Sequence, residues 1–251
     1  MRSYRALTAA LCRSTLREPV GFFFTIVFAP ALVLILGLIF GNDPDPDFGG
    51  VGYISRTLPA FASLVLAIVG VMTMPLAQLQ LRETGALTRL RATPLRPATF
   101  VAADLTVNFV LGVVGMFLAL LLGILVFGVD APDSLPQVVL ACALGLVAFL
   151  ALGYTLAALY PSVGAATGIG NILMILLMLT SGAFVPLSEL PDGVQRVMDY
   201  SPVRHFVDLV QGLWNGEAWS TLWTPTLVLV GMVVVFGALG VVLFRWDNTR
   251  R

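Results

Sequence analysis

Six apolar runs, each close to the length that crosses a bilayer as a helix, constrain this chain more than any other feature. A helix needs about 20 predominantly apolar residues to traverse the hydrocarbon core. The runs fall at about 22–40, 58–80, 101–128, 137–160, 168–187 and 225–244. With 58% hydrophobic and 11% charged residues among 251, the chain cannot cover itself with the surface of an ordinary soluble domain. The expected fold class is an all-α membrane protein, a single transmembrane domain over residues 1–251 with six transmembrane helices.

Charge falls in the segments between those runs, with Asp104 in the third run as the exception. Fourteen arginines balance fourteen acids, so the net charge is zero and points to no nucleic-acid partner. There is no lysine, which excludes a G-x-x-x-x-G-K-[ST] phosphate loop and any Schiff-base chemistry. Residues 2 to 17 carry Arg2, Arg5, Arg13 and Arg17 on one side of a helix, with Tyr4, Leu7 and Leu11 opposite. That pattern predicts an interfacial helix over 1–20, arginines toward anionic headgroups, ended by Glu18-Pro19. No small-residue cleavage pattern closes the next run, so the segment is expected to stay attached. Eleven arginines fall in the N-terminal segment, the 82–96 loop and the tail, against three (Arg56, Arg196, Arg204) on the other side. Both termini are therefore expected in the cytoplasm.

The loop between the second and third runs is a basic island, from Arg82 to Pro97, holding four arginines. Leu87 and Leu90 are three apart, so on a helical turn they present an apolar face beside Arg89 and Arg91, with Pro94 ending the turn. Glu83 is placed to cap or to pair with the arginines, and Gly85 to permit a turn. Two readings stay open: a docking helix for a cytoplasmic partner, or a mere marker of topology. Between the fifth and sixth runs, residues 188–223 are too long for a turn. Val203, Phe206, Val207, Val210, Leu213 and Trp214 form an amphipathic stripe after the Ser201-Pro202 helix start. An external helical hairpin dipping into the membrane is expected, with Asp192 to Tyr200 as its first arm; a solvated loop helix is the alternative.

Polar residues inside spans are costly in lipid and face protein or water. Asn108, Tyr154, Thr155, Asn171 and Thr180, with Met174 and Met178 as an adaptable apolar wall, are the candidates for a substrate path. Structural glue is the competing role for each. Asp104 is expected at the cytoplasmic end of the third span, within reach of headgroup water. The lone His205 cannot make a metal site by itself, and with Cys12 in the N-terminal segment and Cys142 in an apolar span no disulfide between them is expected. No catalytic or metal site is expected. Gly37-x-x-x-Gly41 and Gly164-x-x-x-Gly168 permit close helix packing, at a dimer seam or within the chain.

Three stretches in order carry a family resemblance. They are Arg82-Glu83-x-Gly85-x-Leu87-x-x-Leu90-x-x-x-Pro94, then Ser181-Gly182-Ala183-Phe184-Val185-Pro186 with Leu190-Pro191, then Ser201-Pro202 before the last span. Together they resemble the permease subunits of type-2 ABC exporters, in style most like the antibiotic-resistance permeases of actinobacterial drug exporters. The resemblance implies a coupling helix in the island, re-entrant external helices before span six, and a multi-pass place in the bacterial plasma membrane. It also implies a second permease, as a homodimer, and a separate ABC ATPase subunit that binds the ATP and Mg this chain does not. The implied function is export of an amphipathic drug-like or lipid-like molecule. A permease for a lipid-linked polysaccharide is the alternative, although all four tryptophans lie outside the expected spans, away from any sugar-stacking channel. A membrane-embedded enzyme needs a buried His, Cys or paired-carboxylate constellation that the spans do not offer.

Overall fold

Segments apolar on every face have no side to offer water, so they fold as helices that pack on each other and leave the remainder to lipid. The computed structural model describes residues 2–44, 50–91, 97–182 and 191–243, and its regular structure there is helical throughout. Helix α1 is Arg2–Arg17. Helix α2 (Pro19–Phe22) runs through a π turn, Phe23–Val27, into α3 (Phe28–Phe40). Helix α4 (Tyr53–Ile68) runs through a second π turn, Val69–Thr73, into α5 (Met74–Glu83), and the short α6 is Ala86–Arg91. Then come α7 (Pro97–Phe127), α8 (Leu135–Leu159), α9 (Val163–Thr180), α10 (Asp192–Met198), α11 (Pro202–Trp214) and α12 (Trp223–Leu243).

Among the described residues six helices are long and apolar enough to cross a membrane: Phe23–Phe40, Tyr53–Glu83, Ala98–Phe127, Leu135–Leu159, Val163–Thr180 and Trp223–Leu243. The second outruns its expected bounds at both ends, because Arg56 and Arg82 are accommodated within the helix. The fifth starts at Val163, since Gly164 and Gly168 lie inside the helix and do not delay it. It ends at Thr180, and residues 183–187 of its expected span lie outside the described residues. Also outside them are Pro94, Arg96, Leu190 and the tail with Arg245, Trp246, Arg250 and Arg251. Trp223, expected outside the spans, is the exposed first residue of α12.

The second span is the axis of the bundle: 78% of its most apolar stretch is buried, against 11% for the fifth. Its π turn displaces the helical ladder, and two glycines let neighbouring backbones close on it. A Cβ on Gly153 of α8 would lie 2.6 Å from the Gly70 carbonyl oxygen, and one on Gly70 would lie 2.6 Å from that of Phe149. The hydroxyls of Thr25 and Thr73, one in each π turn, are 3.5 Å apart. At the end of the bundle away from the island, Asn42 stitches three spans. Its Nδ2 donates to Phe127 O at 2.9 Å, and its Oδ1 accepts from Ser55 N at 2.9 Å.

Helix α1 packs along α7, with Tyr4 and Thr106 hydroxyls 2.8 Å apart, so its apolar side is half-buried while Arg5, Arg13 and Arg17 are exposed. Helix α11 is drawn into the bundle. Ser201, in extended conformation before Pro202, starts it, and Val203, Phe206, Leu209, Val210 and Leu213 are buried. The Phe206 ring lies against Gly145, leaving no room there for a Cβ. Gly145 is the eleventh residue of α8, about 15 Å along that helix at 1.5 Å per residue. Val210 is fully buried, while Trp214 at the helix end donates from Nε1 to Asp130 O at 3.1 Å.

Phe206→Ala therefore leaves a void between α8, α4 and α11 and is expected to destabilise the detergent-solubilised chain by about 3–5 kcal/mol. Glu217→Ala, at an exposed position, should stay within about 0.5 kcal/mol. Unfolding followed by denaturant for both variants checks this; equal tolerance would mean that α11 is not packed in the bundle.

Candidate functional site

The last turns of α5 leave the bundle at its island end and carry Gln78, Arg82 and Glu83. Gln78 and Arg82 are four apart, hence on one helix face, and that face is buried. Opposite it, Asp104 sits two turns into α7, with Asn108 one turn further and Tyr154 on α8. Asp104 Oδ2 accepts from Gln78 Nε2 at 2.6 Å and from the Tyr154 hydroxyl at 2.7 Å. Asn108 Nδ2 donates to Asp104 Oδ1 at 3.2 Å and to the Asp104 backbone oxygen at 3.0 Å. A carboxylate among membrane spans is tolerable only if the protein supplies donors, and here three spans supply them. Gln78 Oε1 is buried and has no hydrogen-bond partner among the described residues.

Two further bonds extend the arrangement toward the island and the connector between α8 and α9. Arg82 Nη1 donates to Ala157 O at 2.7 Å, one turn beyond Tyr154 on α8. Glu83 Oε1 accepts from the backbone N–H of Val163, the first residue of α9, at 2.9 Å, while Ser162 Oγ accepts from Ala165 N at 3.2 Å. Glu83 thus caps the N-terminus of another span, where an anion is favoured by the helix dipole. In the connector between α8 and α9, burial pushes the Tyr160 phenol pKa up. The end of α5 is consequently tied to α7, α8 and α9 together.

The island itself turns at Gly85, whose φ of +68° suits glycine and strains any other L-residue. Gly85 O accepts from Arg89 N at 3.1 Å, and Arg89 Nη2 donates to Thr84 O at 3.0 Å, closing α6 onto the end of α5. Leu87 corrects an expectation. It is 0% exposed, so it packs into the chain's own core and not on an outer docking face. Arg89 is exposed; the backbone of Leu90 and Arg91 is helical, but their side chains, like all of Pro94, lie outside the described residues.

The seven residues expected to line one path do not come together: Thr155 of α8 donates to Phe236 O of α12 at 2.8 Å, Met178 is half-buried on α9, and the other five divide between two places. Asn108 and Tyr154 meet in the Asp104 cluster. Asn171 is exposed on α9, Met174 is half-buried there, and Thr180 exchanges a 2.6 Å hydrogen bond with Ser201 before α11. Asp104 also departs from expectation: it is 6% exposed, shut from headgroup water by α5 and α8. Sequence reasoning overlooked Gln78 and the inward turn of Arg82. The available signal was their spacing of four, which puts both on one helix face. No group of three or more His, Cys, Asp or Glu side chains comes together among the described residues.

Comparison with known proteins gives three concordant results. Residues 2–214 match the family described as ABC-2 type transporter. The chain is 29% identical to transport permease YvfS of Bacillus subtilis (strain 168) over 175 residues, covering 68% of this chain and 70% of that protein. It is 30% identical to inner membrane transport permease YhhJ of Escherichia coli (strain K12) over 199 residues, covering 74% of this chain and 52% of that protein. The chain thus spans about half the length of YhhJ.

Asp104→Ala strips the acceptor from three buried donors, whereas Tyr154→Phe removes one donor and leaves two. The first should cost about 3 kcal/mol or more and the second about 1–3 kcal/mol of stability. In a double-mutant cycle the pair should couple by about 0.5–3 kcal/mol. Strict additivity would mean that the two side chains do not share a network.

Proposed function

Because this chain belongs to the ABC-2 type transporter family, we propose that it is the membrane-spanning permease subunit of an ATP-driven exporter, with hydrolysis on a separate ABC ATPase. The observation that carries this reading is the tie between the basic island and three spans through Gln78, Arg82 and Glu83. A segment so fixed cannot shift without moving α8 and α9. The exposed Arg89 and the Leu90–Arg91 turn are the part a cytoplasmic ATPase can grip, and Leu87 anchors that turn from beneath. The lack of any lysine supports placing ATP and Mg on the partner. The arginine count supports cytoplasmic termini and island in a bacterial plasma membrane. On that topology α1 is an interfacial helix, α6 the coupling helix, and α10 with α11 a re-entrant pair from the outer face; the burial of Phe206 against Gly145 supports the last assignment.

A second permease, in a homodimer with two ATPases, is supported by α9. That span is the least buried, and Gly164, Thr167, Gly168 and Asn171 are exposed on successive turns. An asparagine amide facing lipid is expensive, and a partner helix approaching over the glycines relieves it. We assign an amphipathic drug-like or lipid-like substrate, in the manner of actinobacterial antibiotic exporters. Supporting it are the arginine-rich, lysine-free composition and the Met174 and Met178 wall, which adapts to varied apolar shapes.

Leu90→Asp should weaken co-purification with the ATPase by on the order of 2 kcal/mol, the loss typical of an interface anchor. Gly85→Val forces a side chain to φ +68° and should leave the subunit inserted but hydrolysis uncoupled from export. Co-purification, ATP turnover and membrane insertion are the readouts. Normal binding and export by both variants would end the coupling reading and leave the arginines as topology markers.

A further inference from the structure

A cavity of about 760 Å³ opens on the flank of the bundle between α7, α8 and α12. Leu105 and Thr106 of α7, Val147 and Tyr154 of α8, and Val233 and Gly237 of α12 are among its walls. All three helices are apolar enough to cross a membrane, so the opening faces hydrocarbon and not water. It lies at the island end. Ala98 is the second residue of α7, Tyr154 lies within two turns of the end of α8, and Val241 is in the last turn of α12.

Glycine and alanine on the facing walls leave part of this space unfilled. At Gly240 the backbones approach closely, a Cβ there meeting Tyr154 Cβ at 3.2 Å, but one turn earlier a Cβ on Gly237 would meet nothing within 4 Å. The volume falls in the range of about 300–1,000 Å³ that small-molecule sites occupy. Helix α1 borders the opening, since Thr106, which lines it, is bonded to Tyr4. Arg5, next to Tyr4 in the chain, is exposed on that helix, so a positive charge stands near the apolar recess. A molecule with an anionic head and a long apolar tail is complementary to both parts.

We propose that this recess holds one acyl chain of an anionic phospholipid of the inner leaflet, its headgroup paired with Arg5 of α1. The leaflet rests on the topology proposed above; the site itself does not rest on the ATPase coupling. A second permease on α9 leaves it open, because α9 packs on α4, α5 and α11 while α7, α8 and α12 build the recess.

The full chain in nanodiscs of phosphatidylglycerol and phosphatidylcholine, with a trace of phosphatidylglycerol bearing a diazirine in its acyl chain, tests the proposal by photolysis and peptide mass spectrometry. Label should concentrate on Leu105, Val147 and Val233. Gly237→Leu, which projects into the open space, should reduce that label about tenfold while label on Ile172 and Ile175 of α9 is unchanged. Ala102→Leu, from the opposite wall, is a second blocking variant with the same expectation. Excess unlabelled phosphatidylglycerol should compete and phosphatidylcholine should not, a preference that Arg5→Glu should weaken. Because neither transport nor sidedness enters the readout, failure of the coupling reading leaves this result standing. Equal labelling in wild type and both blocking variants, equal competition by the two lipids, or cross-linking of two copies through the recess would overturn it.

Discussion

Lipid supplies no hydrogen-bond donor, so a carboxylate placed among membrane spans must be solvated by other spans or not be there at all. Asp104 is held by side chains from α5, α7 and α8, and this requirement fixes the mutual register of those helices at the island end of the bundle. Sliding any one of them by a turn would leave a buried donor or the acceptor unmatched, at a cost comparable to a lost charged hydrogen bond. Nearer the middle of the bundle the constraint is steric. Gly70 and Gly153 allow α8 to lie directly on the π turn of the second span, where any side chain would collide with a carbonyl oxygen.

Between these two clamps, the second span is rigidly held and buried, while the first, fifth and sixth spans present most of their apolar area outward. That asymmetry has a functional sense in the proposed exporter. The buried axis runs directly into the island, so force applied at α6 enters the bundle through Arg82 and Glu83 and arrives at the connector between α8 and α9. The least buried span, α9, is then the element that a change at the island end reaches first. Packed helices of this kind move by small shears and not by bending, and a second permease against α9 is where such a shear would open or close a path.

Hydropathy located all six spans because it depends only on local composition, and the stripe from Val203 to Trp214 located α11 for the same reason. The start of α9 was obscured by Gly164 and Gly168, residues that weaken a helix in water but are common in lipid-embedded ones. What sequence could not reveal was facing. Leu87 and Leu90 share a turn, and periodicity alone cannot say that Leu87 points into the chain's own core. Asp104 reads as a residue at the membrane surface because depth along one helix is all that periodicity reports. Its shelter comes from Gln78 and Tyr154, 26 residues before it and 50 after. Glu83 was legible as a cap, but the helix that it caps begins 80 residues later.

On this reading the island and the α8–α9 connector move as one body. Spin labels at Arg89 and Thr167, both exposed, with a third on α12 at Val235, allow distances to be measured by pulsed electron paramagnetic resonance in the reconstituted complex, before and after trapping the ATPase with ATP and vanadate. The account predicts an unchanged Arg89–Thr167 distance together with a shift between Arg89 and Val235. A changed Arg89–Thr167 distance, with Thr167 and Val235 fixed, would show the island moving apart from the spans and would contradict it.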